Sequence, residues 1–265
     1  MGPLTSGAPW ASTLRFPASV LALDACGGSG GVALGRIRVN GGAEGQVEIL
    51  GTAQLAGRRF SSDLVPAIAD LLSQAGMDLA ELAAIVAVNG PGSFTGIRVS
   101  LGTLKGLAQP AGIPILAVSR LALLAHGSGS PRALTLLGAG RGDWFVGMFQ
   151  QGRALWERLM SDPEAAAVLD EEHGATVCET GDPALLSGGV VCEALARRSP
   201  LYLPAPGAAG AIRCAVGRLL EGRLDDLADI DGNYLRPSDA ERVRSSLPAG
   251  SLPAGSLSAS ATDRR

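Results

Sequence analysis

The residues best suited to chemistry lie in one stretch, Gly90-Pro-Gly-Ser-Phe-Thr-Gly-Ile-Arg98. It follows the short β-branched run Ala84–Val88, which reads as a buried strand, and Gly and Pro then force a turn. Ser93 or Thr95 can cap a helix beginning near Gly96 by accepting hydrogen bonds from its unpaired N–H groups. A loop built from Gly92, Ser93, Thr95 and Gly96 can seat a phosphate, because such N–H groups and the helix dipole favour negative charge. It can equally be a tight, well-capped strand-to-helix connection. The Gly-Lys-Ser/Thr ending of a Walker A loop is missing, and the spacing is not G-x-G-x-x-G. Asp24 closes the apolar run Val20–Leu23 and can hold a metal or a phosphate. Capping the small-residue turn Gly27–Gly31 is the simpler use for it.

The remaining reactive side chains are scattered. His126 and His173 are the two histidines, and neither has a ligand partner on its own helix face; Glu171 and Glu172 beside His173 point elsewhere. No G-x-S-x-G elbow is present for a serine hydrolase. Cys26, Cys178, Cys192 and Cys214 form no C-x-x-C pair and read as reduced thiols. Asp225, Asp226, Asp229 and Asp231 read as a solvated acidic loop rather than a cation site.

The elements that would position these groups follow from periodicity. Along the helix Gly96–Ala108, Ile97, Leu101, Leu104 and Leu107 or Ala108 recur at helical spacing. Gly102 and Gly106 sit one turn apart on a shared face. Each costs about 1 kcal/mol relative to alanine in a helix interior, so another helix or backbone is expected to pass close. Ser61–Gly76 is an amphipathic helix with Leu64, Ile68, Leu71, Leu72 and Ala75 as its stripe. Strands are expected at Val20–Asp24, Val32–Leu34, Gln46–Leu50, Ile115–Val118, Ala133–Leu137, Asp143–Phe149, Ala154–Arg158 and Ala175–Cys178. Short helices should follow Ser119 and Asp162, and a longer one should span Gly207–Glu221. Both halves open with a hairpin and continue with α/β units, which predicts an α/β fold with two mixed-sheet subdomains in a duplicated architecture.

With 265 residues, 46% hydrophobic and 18% charged, the chain suits one large or two small globular domains. A net charge of −3 gives no general attraction to nucleic acid. Of 22 Lys and Arg residues Lys105 is the single lysine, an imbalance that reflects coding bias. No segment has the roughly 18 consecutive apolar residues of a membrane span, and a cytoplasmic protein is expected. Residues 1–18 read as a disordered leader rather than a secretory signal, and 244–265, with a repeated Ser-Leu-Pro-Ala-Gly, as a disordered tail. Between them, 19–127 and 128–243 form the two expected subdomains, with the helix at 207–221 a candidate to pack back on the first.

The central motif, with Leu104-Lys-Gly-Leu-Ala108, resembles the signature of the TsaB (YeaZ) family. Weaker matches accompany it: Leu21–Asp24 with Gly31–Leu34, Leu64-Val-Pro66, Gly140-Arg-Gly-Asp143, and Tyr234-Leu-Arg236 with Asp239-Ala-Glu241. The resemblance spans Val20 to Val243. It implies an actin-like ATPase (ASKHA, ribonuclease H-like) duplicated fold. It further implies a scaffold subunit in synthesis of threonylcarbamoyladenosine beside the tRNA anticodon. The chain would have no catalytic residue, cofactor or metal of its own. Its partners would be TsaD, the catalytic paralogue with a metal-binding histidine pair, and the ATPase TsaE; tRNA would be reached through the complex, and ATP or ADP would sit at the TsaD interface. Docking would use helices 61–75 and 96–108, and hence Leu64, Ile68, Leu72, Arg98, Gly102, Lys105 and Gly106. The chain departs from the family at Ala25, where a phosphate-contacting threonine is usual, at Arg59–Asp63, which lacks a histidine, and at Ala139, usually Asp. Two rival readings remain open: a glycoprotease-like hydrolase or small ASKHA kinase using Asp24 and the Ser93/Thr95 loop, and a homodimeric binding module using the same helices.

Overall fold

Ten strands and six α-helices carry the fold in a computed structural model that describes residues 14–39, 45–56 and 60–236. Residues 14–235 belong to one compact unit; of the second, 236–265, only Arg236 is described. The first sheet has the order β3-β2-β1-β4-β5, from β1 (Ala18–Asp24), β2 (Ser29–Val39), β3 (Gly45–Ala56), β4 (Ala84–Val88) and β5 (Ile115–Val118). Its first three strands form an antiparallel meander, and β1, β4 and β5 run parallel. Every residue of β1 and β4 is buried, as expected for central strands covered on both faces. The helices α1 (Phe60–Gln74), α2 (Phe94–Ala111) and α6 (Gly207–Leu220) cover it.

The second sheet repeats the pattern with β6 (Arg132–Gly140), β7 (Asp143–Gln150), β8 (Arg153–Ser161), β9 (Ala175–Glu179) and β10 (Leu201–Leu203). Read from its meander end the order is β8-β7-β6-β9-β10, the counterpart of the first sheet strand by strand. The duplicated arrangement of two mixed sheets expected from the sequence is thus the observed one. Side chains alternate across this sheet. Leu134, Leu136, Trp144, Val146 and Met148 face α4 (Asp162–Glu171) and α5 (Val190–Ala196). Ala133, Leu137, Phe145 and Phe149 face α3 (Arg120–Gly127). The helix α3 also packs on α6, so it touches both halves.

Several boundaries differ from expectation, β2 and β3 running well past the expected Val32–Leu34 and Gln46–Leu50. Leu14 and Phe16, assigned to the leader, pack against the first core, and Ala18 already belongs to β1. Their apolar side chains gain more from burial than a solvated leader would. The helix α2 runs on through Pro110 to Ala111 and ends at Gly112, whose φ of 64° suits a left-handed cap. The short α5 and β10 carry too few residues for a periodic signal. The remaining leader positions 1–13 and the expected tail 244–265 lie outside the described residues, as do Arg59, Asp239 and Glu241.

Candidate functional site

The turn between β4 and α2 is pressed against the end of β1. Ser93 caps α2 by accepting from the Gly96 N–H at 3.2 Å, while its own N–H donates to the Cys26 carbonyl at 2.8 Å. A Cβ added at Gly92 would lie 2.1 Å from that carbonyl oxygen, and one at Gly96 would lie 2.1 Å from the Ala25 oxygen. Close backbone approach therefore requires both glycines. Asp24 is buried at 6% exposure and accepts from the Cys26 N–H at 2.9 Å, the capping role read for it. The Cys26 thiol donates to the Val88 carbonyl at 3.4 Å; burial first, and the Asp24 charge second, push its pKa well up. Asp24, Gly92, Ser93 and Gly96 are thus brought together, whereas Thr95 is exposed and takes no part in the cap. Among the described residues no group of three or more His, Cys, Asp or Glu side chains could hold a metal ion.

The two helices expected to dock a partner divide differently from expectation. Leu64, Ile68 and Leu72 of α1 are 1%, 3% and 6% exposed, packed in the chain's own core. They are corrected here from partner contacts to core residues: a stripe spent on the sheet has no apolar area left for another protein. Helix α2 keeps both roles apart by its period. Ile97, Leu101, Leu104 and Ala108 point inward. Gly102 and Gly106 are exposed, and a Cβ at either would meet nothing within 4 Å. The close neighbour expected for these glycines is therefore not part of the described chain. Lys105 is half-buried on this helix, and the exposed Arg98 stacks its guanidinium 4.0 Å from the Phe94 ring centroid. Phe94 in turn contacts Tyr234, with ring centroids 4.9 Å apart.

Sequence reasoning missed a polar cluster behind the turn. Arg120 pairs with Glu179, and Glu157 accepts from Asn233 and Ser119. These residues are far apart in the chain and carry no motif; only the fold unites them.

The family model described as "TsaD: tRNA N6-adenosine threonylcarbamoyltransferase" matches residues 53–174. The chain is 32% identical over 124 residues to the tRNA threonylcarbamoyladenosine biosynthesis protein TsaB of Escherichia coli, covering 45% of this chain and 52% of that protein. It is 36% identical over 111 residues to the Bacillus subtilis protein of that name, covering 40% and 47%. Among solved structures it matches an uncharacterized protein with similarity to peptidase YEAZ from Pseudomonas aeruginosa, with a TM-score of 0.63 and 26% identity over 83% of this chain and all of that one. These matches make the chain similar to TsaB (YeaZ) proteins. A second structure, YeaZ from Pseudomonas aeruginosa, shares the fold with a TM-score of 0.60 at 24% identity, covering 82% of this chain and 100% of that one. The chain spans about half the length of the two TsaB proteins it matches in sequence. No described helix is long and apolar enough to cross a membrane.

Proposed function

We propose that this chain is a TsaB-type protein, a non-catalytic, cytoplasmic subunit in the synthesis of threonylcarbamoyladenosine in tRNA. In this reading it docks on the catalytic paralogue TsaD through the exposed side of α2, and TsaE joins the pair. The observation that carries it is the glycine-notched face: Gly102 and Gly106 weaken the helix, yet nothing in the described chain lies against them. A partner helix lying on that face recovers the loss by close packing of backbone against side chain. Nucleotide enters only at the interface with TsaD, and tRNA only through the assembled complex. The relatives named as TsaB biosynthesis proteins support the pathway.

The test is reconstitution of tRNA modification from purified components with and without this chain, alongside pull-down of TsaD from the same organism. Gly102→Leu and Gly106→Leu are expected to abolish pairing while the free chain stays folded, since both sites open to solvent. Undiminished pairing by both variants would refute the docking face. Full modification without the chain would refute the function.

A further inference from the structure

The turn that launches α2 is held from behind by two chains of hydrogen bonds, and both end on carboxylates of the second sheet. The Asn89 carbonyl accepts from the Asn233 N–H at 2.6 Å, and the Gly90 carbonyl accepts from the Arg120 N–H at 2.6 Å. Asn233 in turn donates its side-chain amide to Glu157 on β8. The guanidinium of Arg120 pairs with Glu179 at the end of β9, both side chains being about seven-eighths buried, at 13% and 14% exposure. Ser119, beside Arg120, accepts from the Leu121 N–H at 3.1 Å to cap α3 and donates to Glu157. Each carboxylate thus holds a residue whose main-chain N–H donates to the turn.

We propose that the second sheet acts as a brace for α2, with Glu157 and Glu179 as positioning residues that fix the Asn89–Gly90 turn through Asn233 and Arg120. Buried ion pairs and hydrogen-bonded carboxylates add little net stability, yet removing one partner is costly because it leaves a desolvated group behind. Anchoring both carbonyls of the turn fixes the position of the first turn of α2. That turn carries Phe94, under the Arg98 guanidinium, and leads into the glycine face. The duplicated half therefore does a mechanical job here.

Backbone amide exchange on the full chain tests this without any partner. Glu157→Leu and Glu179→Leu are each expected to speed exchange at Ser93, Ile97, Arg120 and Asn233 by about tenfold or more, while β2 and β3 amides stay within about twofold. Glu157→Gln keeps an acceptor oxygen and is expected to restore slow exchange at Asn233. Unchanged exchange at those four amides, or acceleration spread evenly over the chain, would overturn the brace. If either Leu variant fails to fold, Asn233→Ala cuts the Glu157 link with the main-chain bond left in place and carries the same expectation and the same refutation. Binding to TsaD is then measured on the variants that show local loosening. Its loss would extend the brace to docking, which rests on the proposed function, and retained binding would sever that extension while the exchange result stands.

Discussion

Three glycines of one helix should respond to the same substitution with opposite signs. In an exposed helix interior Gly→Ala stabilises by about 1 kcal/mol, through backbone entropy and helix propensity. Gly102 and Gly106 meet that condition, since an added methyl touches nothing within 4 Å. Each Ala variant is therefore expected to raise Tm by about 2–4 °C for a domain of this size. Gly96 lies on the same helix, but its new Cβ would stand 2.1 Å from the Ala25 carbonyl oxygen, whereas ordinary contact begins at 3.4 Å. The obstacle is backbone at the end of a buried strand, so it cannot swing aside like a side-chain tip. Overpacking of this kind costs about 1–3 kcal/mol, which outweighs the propensity gain. Gly96→Ala should lower Tm by several degrees, with a net cost of about 1–2 kcal/mol once that gain is subtracted. Thermal unfolding followed by circular dichroism on the wild type and the three variants reads all of this at once. A raised Tm for Gly96→Ala would refute the close approach of loop and strand, and a lowered Tm for Gly102→Ala would refute an unoccupied outer face.

Leu64→Ala should cost about 2–5 kcal/mol of stability in the free chain, because the side chain is 1% exposed in the first core; denaturant unfolding that finds no loss would return this residue to the docking surface. Glu157 titrates above the usual carboxylate range, chiefly through burial, with Ser119 and Asn233 opposing. The folded chain thus binds this proton more tightly than the unfolded chain. Its ionised form costs stability at neutral pH, and that cost fades as pH falls through the raised value. Glu157→Gln should consequently be at least as stable as wild type at pH 7, with the gap closing toward pH 5; urea midpoints whose gap widens on acidification would contradict this. Burial raises all four thiols, Cys214 to about 11 and Cys178 to about 12. A thiol-exchange reagent at pH 8 should therefore react slowly with the native protein, Cys192 leading as the least buried, and with all four after denaturation. Rapid native labelling of Cys26 would show the β1–β4 contact to be open.

The elements with strong periodicity were legible: β4 and β5 fall where the β-branched runs lie, and the duplicated strand order follows from two hairpin-first halves. Position within an element was harder to read than the element itself. Leu64, Ile68 and Leu72 share a face in any helical reading, but whether that face meets a sheet or a partner depends on neighbours remote in sequence. Asp24, Gly92, Ser93 and Gly96 lie together as the motif suggests, yet only coordinates reveal that Cys26 and Ala25 stand against the two glycines. Arg120, Glu157, Glu179 and Asn233 left no trace, because a lone Arg, Glu or Asn outside any motif looks like any solvated residue. Their burial is imposed by the second sheet arriving opposite the first.

A physical logic links the two faces of α2. A helix whose inner side is locked into β4 by Ile97, Leu101, Leu104 and Ala108 can carry glycines outside at a cost of about 1 kcal/mol each without melting, because tertiary packing rather than propensity holds it. Such a helix needs its entry fixed, since Gly90 and Gly92 at φ 117° and 158° leave the turn little intrinsic stiffness. Main-chain bonds to Cys26, Arg120 and Asn233 supply that stiffness from three separate stretches of the chain. A flexible turn and a notched outer face would be two defects in an isolated helix. Braced from behind, and covered from the front in the docking proposed above, they become the means by which a rigid surface is presented to another protein.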